Sequence, residues 1–423
     1  MATKINDAWK KLFEKYDILN KVKQNTMFEI SAEQIKEFRE PRLMTKFDSS
    51  FDLPELFEKN NLSILPISSN KYIISSNKIF NKLSITSDNC NTYTYKIPPY
   101  IESINANNIT SESIALNCAY ICGILADFIG DEDLVPTVSG KMGSDNFKFK
   151  IDNVITASKD EIEVNNSRIE IDGAYEGINY LTIIEAKRKI TDDFIIRQLY
   201  YPFRALSKKI DKAIKLIYLV YTNGVFSLFE YTFEDADDYN SIKLLKQANY
   251  TIEDFELNIQ TLTQLIESSK IIKEPDLPFP QANSFERVIN LCELLNSSNL
   301  EKENVTEIYN FDSRQTDYYV NACRYLGLVE QNGEIRLTKL GQKIINASFS
   351  KRHLLLIQQI LKHEVFNKVL SFSLENGRIL GKENIVKIMK ISNLYNIKSE
   401  ETYMRRASTI KHWINWILSL LKE

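Results

Sequence analysis

RIEIDGAYEGINYLTIIEAKRKITDDFIIRQLYYPFR, residues 168–204, reads as a strand, a turn, a second and more apolar strand, and a helix. Side chains alternate along a strand, so Arg168, Glu170 and Asp172 share one face of the first and Ile169 and Ile171 the other. In the second strand Leu181, Ile183, Glu185 and Lys187 share a face, with Thr182, Ile184 and Ala186 behind them. Two acids and a lysine therefore converge at the end of a hairpin. Carboxylates there are unfavourable unless a cation or a proton compensates them, and a divalent metal is the natural compensation. Glu185 is the only Asp or Glu in the chain with lysine two positions later, and it falls in the apolar run LTIIEAK. A solvated strand end with an incidental Glu/Lys pair would share the pattern.

IEIDG, then TIIEAK, then RQLYYPFR resembles the core of the PD-(D/E)XK nuclease superfamily, to which many type II restriction endonucleases belong. The resemblance covers residues 110–235. It implies a restriction-endonuclease-like α/β fold, a mixed sheet flanked by helices, with Asp172 and Glu185 as ligands of Mg²⁺ and Lys187 beside the attacking water. Gln198 and Tyr201 resemble the glutamine and tyrosine element that follows the lysine in some branches. Ile171 stands where the simplest pattern has proline. Members often place a helix before the sheet, and an acid from it supports the metal; Glu112 is the acid so placed here, and Glu170 lies on the Asp172 face.

A chain of 423 residues is expected to form two to four domains. With 43% hydrophobic residues and only 12 Gly and 10 Pro, folded structure is the expectation throughout. No apolar run has the length of a membrane span, and the start, MATKINDAWKKLFEKY, is amphipathic without a cleavable apolar core, so a cytoplasmic protein is expected. The five cysteines, Cys90, Cys118, Cys122, Cys292 and Cys323, suggest no disulfide framework. Cys118 and Cys122 stand at i and i+4; with no CxxC and only three histidines, two buried thiols are favoured over a zinc pair. The formal charge of −3 is uneven: residues 284–423 hold 20 Lys and Arg against 15 Asp and Glu, a net +5, which leaves residues 1–283 at −8. A local basic patch binds phosphates whatever the total charge.

Residues 1–95 are expected to form an α+β domain. INDAWKKLFEKYDILNKV is an amphipathic helix and SAEQIKEF a second one capped by Ser31; REPRLMTKFDSSFDLP carries Arg39, Arg42 and Lys46; LSILPI and KYIIS read as strands. DNA contact and plain packing are equally compatible with this part. Residues 96–272 hold the nuclease-like region. There SESIALNCAYICGILADFI is a buried helix capped by Ser111, and VSGKMGSDN is a loop whose Ser139, Lys141 and Ser144 suit a phosphate or a solvated turn. TDDFIIRQLYYPFRAL is a helix capped by Thr191, and AIKLIYLVYTNGVFSLFEYTF is a hairpin turning at Asn223-Gly224.

KEPDLPFPQANS, residues 273–284, with three of the ten prolines, reads as a linker. Beyond it, over residues 284–348, FERVINLCELLNS, NVTEIYNF and SRQTDYYVNACRYLGLV spell three helices, and EQNGEIRLT a small hairpin; the set resembles a winged helix. Arg314, Gln315, Asp317 and Tyr318 would then start the recognition helix, where base edges are read, although such modules also serve packing or dimerisation. Residues 349–423 form three further helices with Arg405, Arg406 and Lys411 on the last, a weaker winged-helix-like pattern.

The function implied is a type II restriction-like endonuclease that hydrolyses phosphodiester bonds of double-stranded DNA at a specific sequence with Mg²⁺. By analogy it would cut as a homodimer, with a cognate DNA methyltransferase encoded nearby. Two other readings stay open: a repair nuclease that reads DNA structure, and a DNA-binding transcriptional regulator whose nuclease fold no longer cuts. An intact Asp172, Glu185 and Lys187 speaks against the last.

Overall fold

The computed structural model describes residues 4–83, 92–253, 255–297, 299, 300, 302, 305, 313–392 and 394–421, without the side chains of Ser313 and Arg314. It is a mixed α/β protein with a small N-terminal α+β region, a seven-stranded sheet and a largely helical C-terminal part. The chain divides into two compact units. The first comprises Met1–Tyr93, Ser111–Tyr221 and Phe226–Tyr250, and the second Thr94–Thr110, Thr222–Val225 and Thr251–Glu423.

The first unit opens with two helices where one was expected, α1 (Lys4–Tyr16) and α2 (Ile18–Asn25), because Asp17 between them turns left-handed at φ +50°. Strand β1 (Met27–Ser31) follows, then α3 (Ala32–Lys36), whose N-cap Ser31 accepts from Gln34 N while the Gln34 side chain takes the Ser31 N–H. Pro41 starts α4 (Pro41–Thr45), and the turn Ser50–Asp52 leads to α5 (Glu55–Lys59). Strands β2 (Ser63–Pro66) and β3 (Lys71–Ser75) complete a sheet of order β1-β3-β2. Trp9, Phe13 and Phe57 pack edge to face beneath it, and the Trp9 indole N–H, which burial would otherwise leave unpaired, donates to Met44 O at 3.0 Å.

Next come β4 (Phe80–Lys82), β5 (Thr92–Thr94), α6 (Glu112–Ile121) and α7 (Ile124–Ile129). Ser111 caps α6 as expected, but the single helix expected here is broken at Gly123, whose φ of +82° suits glycine alone without strain. Then follow β6 (Val135–Gly143), the hairpin β7 (Asn146–Asp152) and β8 (Lys159–Asn165), and β9 (Arg168–Glu176) and β10 (Tyr180–Lys187). After them come β11 (Asp193–Ile195), α8 (Arg197–Leu206), β12 (Ala213–Thr222), β13 (Val225–Phe233) and β14 (Ile242–Thr251).

The large sheet runs β5-β14-β13-β12-β10-β9-β6. β10, buried along six consecutive residues, is central: it pairs in parallel with β12, placing Glu185 beside Tyr218 and Lys187 beside Val220, and antiparallel with β9. Asp131 fastens the β9–β10 turn by accepting from Asn179 N, Asn179 Nδ2 and Tyr180 N. β6, at one edge, is interrupted by Pro136 and two register shifts, a common protection against edge pairing. Thr191 does not cap α8. Asp193–Ile195 pair as a strand with β4, and the helix begins at Arg197, because the apolar run Phe194, Ile195 and Ile196 is buried in extended or turn form. Leu199, Tyr200, Tyr201, Ala205 and Leu206 then pack into the core that lies against the sheet.

In the second unit, helices at Ile259–Ser268, Phe285–Leu295 and Ser313–Tyr325 precede the small hairpin β15 (Val329–Asn332) and β16 (Glu334–Leu337), which turns at Gly333 with φ +85°. The helix expected at NVTEIYNF lies outside the described residues apart from Val305, which is buried. Helices at Lys339–Ile345, Phe349–Leu361, Glu364–Asn376, Lys382–Ile391 and Glu400–Ser419 follow. Residues 273–284 are not a free linker but a packed strap. Phe279 stacks on Phe366, Ala282 O accepts from Trp413 Nε1 at 2.8 Å, and Asn283 Oδ1 accepts from Thr409 at 2.8 Å. Prolines keep the strap extended without supplying N–H donors, and its carbonyl and side-chain acceptors meet the helices instead. Among the described residues, no helix is long and apolar enough to cross a membrane.

Candidate active site

A cleft of about 520 Å³ opens in the first unit at the C-terminal end of β10. The strand alternation read from the sequence brings Asp172, Glu185 and Lys187 to its wall, α8 adds Gln198, and the first turn of α6 adds Glu112. Glu170 also lines it, opposite Lys141 in the β6–β9 register, with an exposed side chain. Tyr201 does not reach the cleft. Its ring is buried against Phe147, and its hydroxyl donates to Pro66 O at 3.0 Å.

Lys187 Nζ lies 2.5 Å from Glu185 Oε1 and 3.7 Å from Asp48 Oδ2. Asp172 Oδ2 accepts from Ala186 N at 2.9 Å, which joins the two strands at the level of the acids. Burial pushes the Glu185 carboxyl up to about 8; Lys187 opposes this rise and the neighbouring Asp172 adds to it. Burial alone would lower Lys187, but Glu185, Asp48, Tyr218 and Glu112 outweigh it and hold the ammonium well above its ordinary value. Burial likewise raises Glu112, with Lys187 opposing and Asp172 reinforcing. Lys187 thus sits in a buried cluster of acids, Glu185, Asp48, Glu112 and Asp172.

Asp48 is the site residue that sequence reasoning missed. It comes from the segment between α4 and α5 and accepts from Gln198 Nε2 at 3.2 Å. Burial would raise its carboxyl, but Lys187, Lys46, Arg197 and Lys189 outweigh that and hold it below the usual carboxylate range. No local pattern marks it; only its place after the basic run RLMTK set it beside residues already noted. Arg42, Lys46, Lys141, Arg168 and Arg197 line the same cleft. Cations on the wall of an acidic pocket suit a phosphate-bearing ligand.

The donor set is all oxygen, which fits Mg²⁺. Among the described residues no group of three His, Cys, Asp or Glu side chains forms a ready metal cage. Mg²⁺ commonly takes one or two carboxylates and completes its shell with water and substrate phosphate, so Asp172 and Glu185 suffice as its protein ligands.

The DNA-contact residues expected in the C-terminal part are placed unevenly. Gln315 is exposed near the start of its helix and Tyr318 half-buried, while the Arg314 side chain lies outside the described residues. Arg405 is exposed and pairs with Glu401 at 3.8 Å. Arg406 Nη1 is turned to Gln281 of the strap at 2.5 Å, so its head ties a helix to that segment. Cys118 and Cys122 are buried with their sulfurs 3.9 Å apart, and Cys90 lies outside the described residues.

Three family models match the chain in series, each described as a domain of unknown function: DUF6996 over residues 6–74, DUF6997 over 75–251 and DUF7226 over 287–422. No curated protein and no solved structure matches. The cleft draws on the first two matched segments, Asp48 from one and Asp172, Glu185, Lys187 and Gln198 from the other.

Proposed function

We propose that the chain is a Mg²⁺-dependent endonuclease of the PD-(D/E)XK type that acts on double-stranded DNA. The observation that carries this reading is the meeting of Asp172, Glu185 and Lys187 from neighbouring strands in one cleft, with Gln198 beside them and basic side chains on its wall. Bound Mg²⁺ would stabilise charge developing on the scissile phosphate and favour hydroxide at neutral pH. Asp172 and Glu185 would hold it. A bound cation would offset the burial that keeps a proton on Glu185, and Lys187, next to Glu185, would serve the water or the phosphate. Arg42, Lys46, Lys141 and Arg168 would hold the strand by its phosphates, setting register without reading sequence.

Sequence readout would fall to the C-terminal helices as winged-helix-like modules, with Gln315, Tyr318 and Arg405 reaching the bases or backbone. Cutting both strands of a duplex at one site calls for two such clefts, hence a homodimer on DNA. In the cell a restriction role would require a cognate methyltransferase.

Incubation of the purified chain with unmethylated phage DNA and Mg²⁺, beside Glu185→Ala and an EDTA control, tests the proposal. Discrete fragments are expected from the wild type alone. Smearing without discrete bands would favour a structure-reading nuclease, and tight binding with no cleavage under Mg²⁺ or Mn²⁺ would leave a regulator.

A further inference from the structure

We propose that Asp48, supplied by the segment ahead of the sheet, is a positioning residue of this cleft that orients the Gln198 amide and holds the Lys187 ammonium. The inference rests on the nuclease reading for its kinetic consequences, though not for its geometry.

A carboxylate only accepts hydrogen bonds. With Asp48 Oδ1 3.2 Å from the Gln198 amide, Nε2 must face Asp48 and Oε1 must turn away from it. Gln198 Oε1 is buried and lacks a hydrogen-bond partner among the described residues, so within the fold the contact to Asp48 is what sets the orientation of the amide. The other oxygen, Oδ2, faces Lys187 at 3.7 Å and Lys46 at 4.0 Å. Each Asp48 oxygen therefore has its own protein partners, the arrangement of a side chain that aims others.

The backbone holds Asp48 in that place. Asp48 O accepts from Ile195 N at 2.9 Å, and Ser50 N donates to Asp193 Oδ1 at 2.8 Å. Lys189 Nζ reaches Asp52 Oδ1 at 3.2 Å, and Asp52 Oδ2 accepts from Ser49 N at 2.8 Å. Three of these contacts bind the segment to the chain between β10 and α8, the stretch that links Lys187 to Gln198, and the fourth closes the segment on itself. A surface loop meeting the site by chance would have no need of them. Removing Asp48 frees the amide to flip and leaves Lys187 with Glu185 as its near partner.

The test uses full-length wild type, Asp48→Ala, Asp48→Asn, Gln198→Ala and the Asp48→Ala/Gln198→Ala double variant. Thermal midpoints and DNA affinity are read in EDTA, and kcat and KM in Mg²⁺. Asp48→Ala is expected to lower kcat about tenfold to a hundredfold, with KM for DNA and metal-free affinity changed by less than about twofold. Asp48→Asn keeps an acceptor for Gln198 but loses the charge facing Lys187, and its kcat falls between. The double variant is expected to be no slower than the slower single variant within about threefold, since both changes break one link. A wild-type kcat in Asp48→Asn, or losses that multiply in the double variant, would overturn the inference. If Asp48→Ala does not fold, the isosteric Asp48→Asn alone decides. If the wild type cleaves no DNA, the nuclease reading fails by itself; midpoint losses that then add across the Asp48 and Gln198 changes refute the link, and non-additive ones support it.

Discussion

Glu185 carries the strongest constraint on a single side chain. Its carboxyl titrates near 8 in the folded chain against an ordinary 4.5. Below pH 4.5 it is protonated in both states and makes no difference to stability. As pH rises toward 8 the unfolded chain releases its proton first, so stability is lost through that window and the loss is complete above it. Glu185→Gln removes the titration. In metal-free urea denaturation at pH 5 and pH 8, the variant's stability relative to wild type should therefore improve by roughly 2 kcal/mol at the higher pH. An unchanged difference would place Glu185 in a less buried setting. At this scale the sequence was most legible. Strand alternation alone put Asp172, Glu185 and Lys187 on converging faces, because a strand's period is short and its apolar partners lie within the same few residues. Asp48 was not legible: 124 positions separate it from Asp172, and nothing in KFDSS marks a carboxylate held by an amide. Tyr201 shows the converse, a residue suggested by the family resemblance whose ring and hydroxyl are both spent on packing.

Among elements, the hairpin at Asn223-Gly224 is legible because its turn residues are explicit, both taking positive φ, at 50° and 76°, whereas the β7–β8 hairpin is not, and VSGKMGSDN, expected as a loop, lies mostly in the edge strand β6. The helices were read too long. Asp17 and Gly123 break two of them with left-handed backbone, and periodicity of apolar residues continues across both breaks without revealing them. The strap 273–284 was misread for a related reason. Proline density marks extended backbone, which serves a linker and a packed segment alike; Phe279, only 3% exposed, decides between them. Phe279→Ala should destabilise the chain by about 3 kcal/mol in chemical denaturation, as for other buried aromatics. A change below about 0.5 kcal/mol would restore the linker reading.

For the whole molecule, the order of the family-matched segments differs from the order of folding units. The matches follow one another along the chain, whereas the second unit takes Thr94–Thr110 and the tip Thr222–Val225 from inside the segment that matches at 75–251. That tip is held strongly. Asn223 N donates to both Glu293 oxygens at 3.0 Å, Glu293 pairs with Arg352 at 2.9 Å, and all three are buried. Residues 252–423 expressed alone should then melt at a lower temperature than the corresponding transition in the full chain, because Glu293 and Arg352 lose the partners that satisfy them. Equal midpoints would mean that the tip adds nothing.

The interleaving also bears on inheritance. A gene encoding units that lie end to end can exchange one by a single crossover between them, and specificity modules spread in that way. Here a crossover anywhere between the codons for residues 94 and 251 divides a unit. The C-terminal part and the sheet are therefore expected to travel together through a population as one block, diverging by point substitution within each lineage and not by exchange of parts.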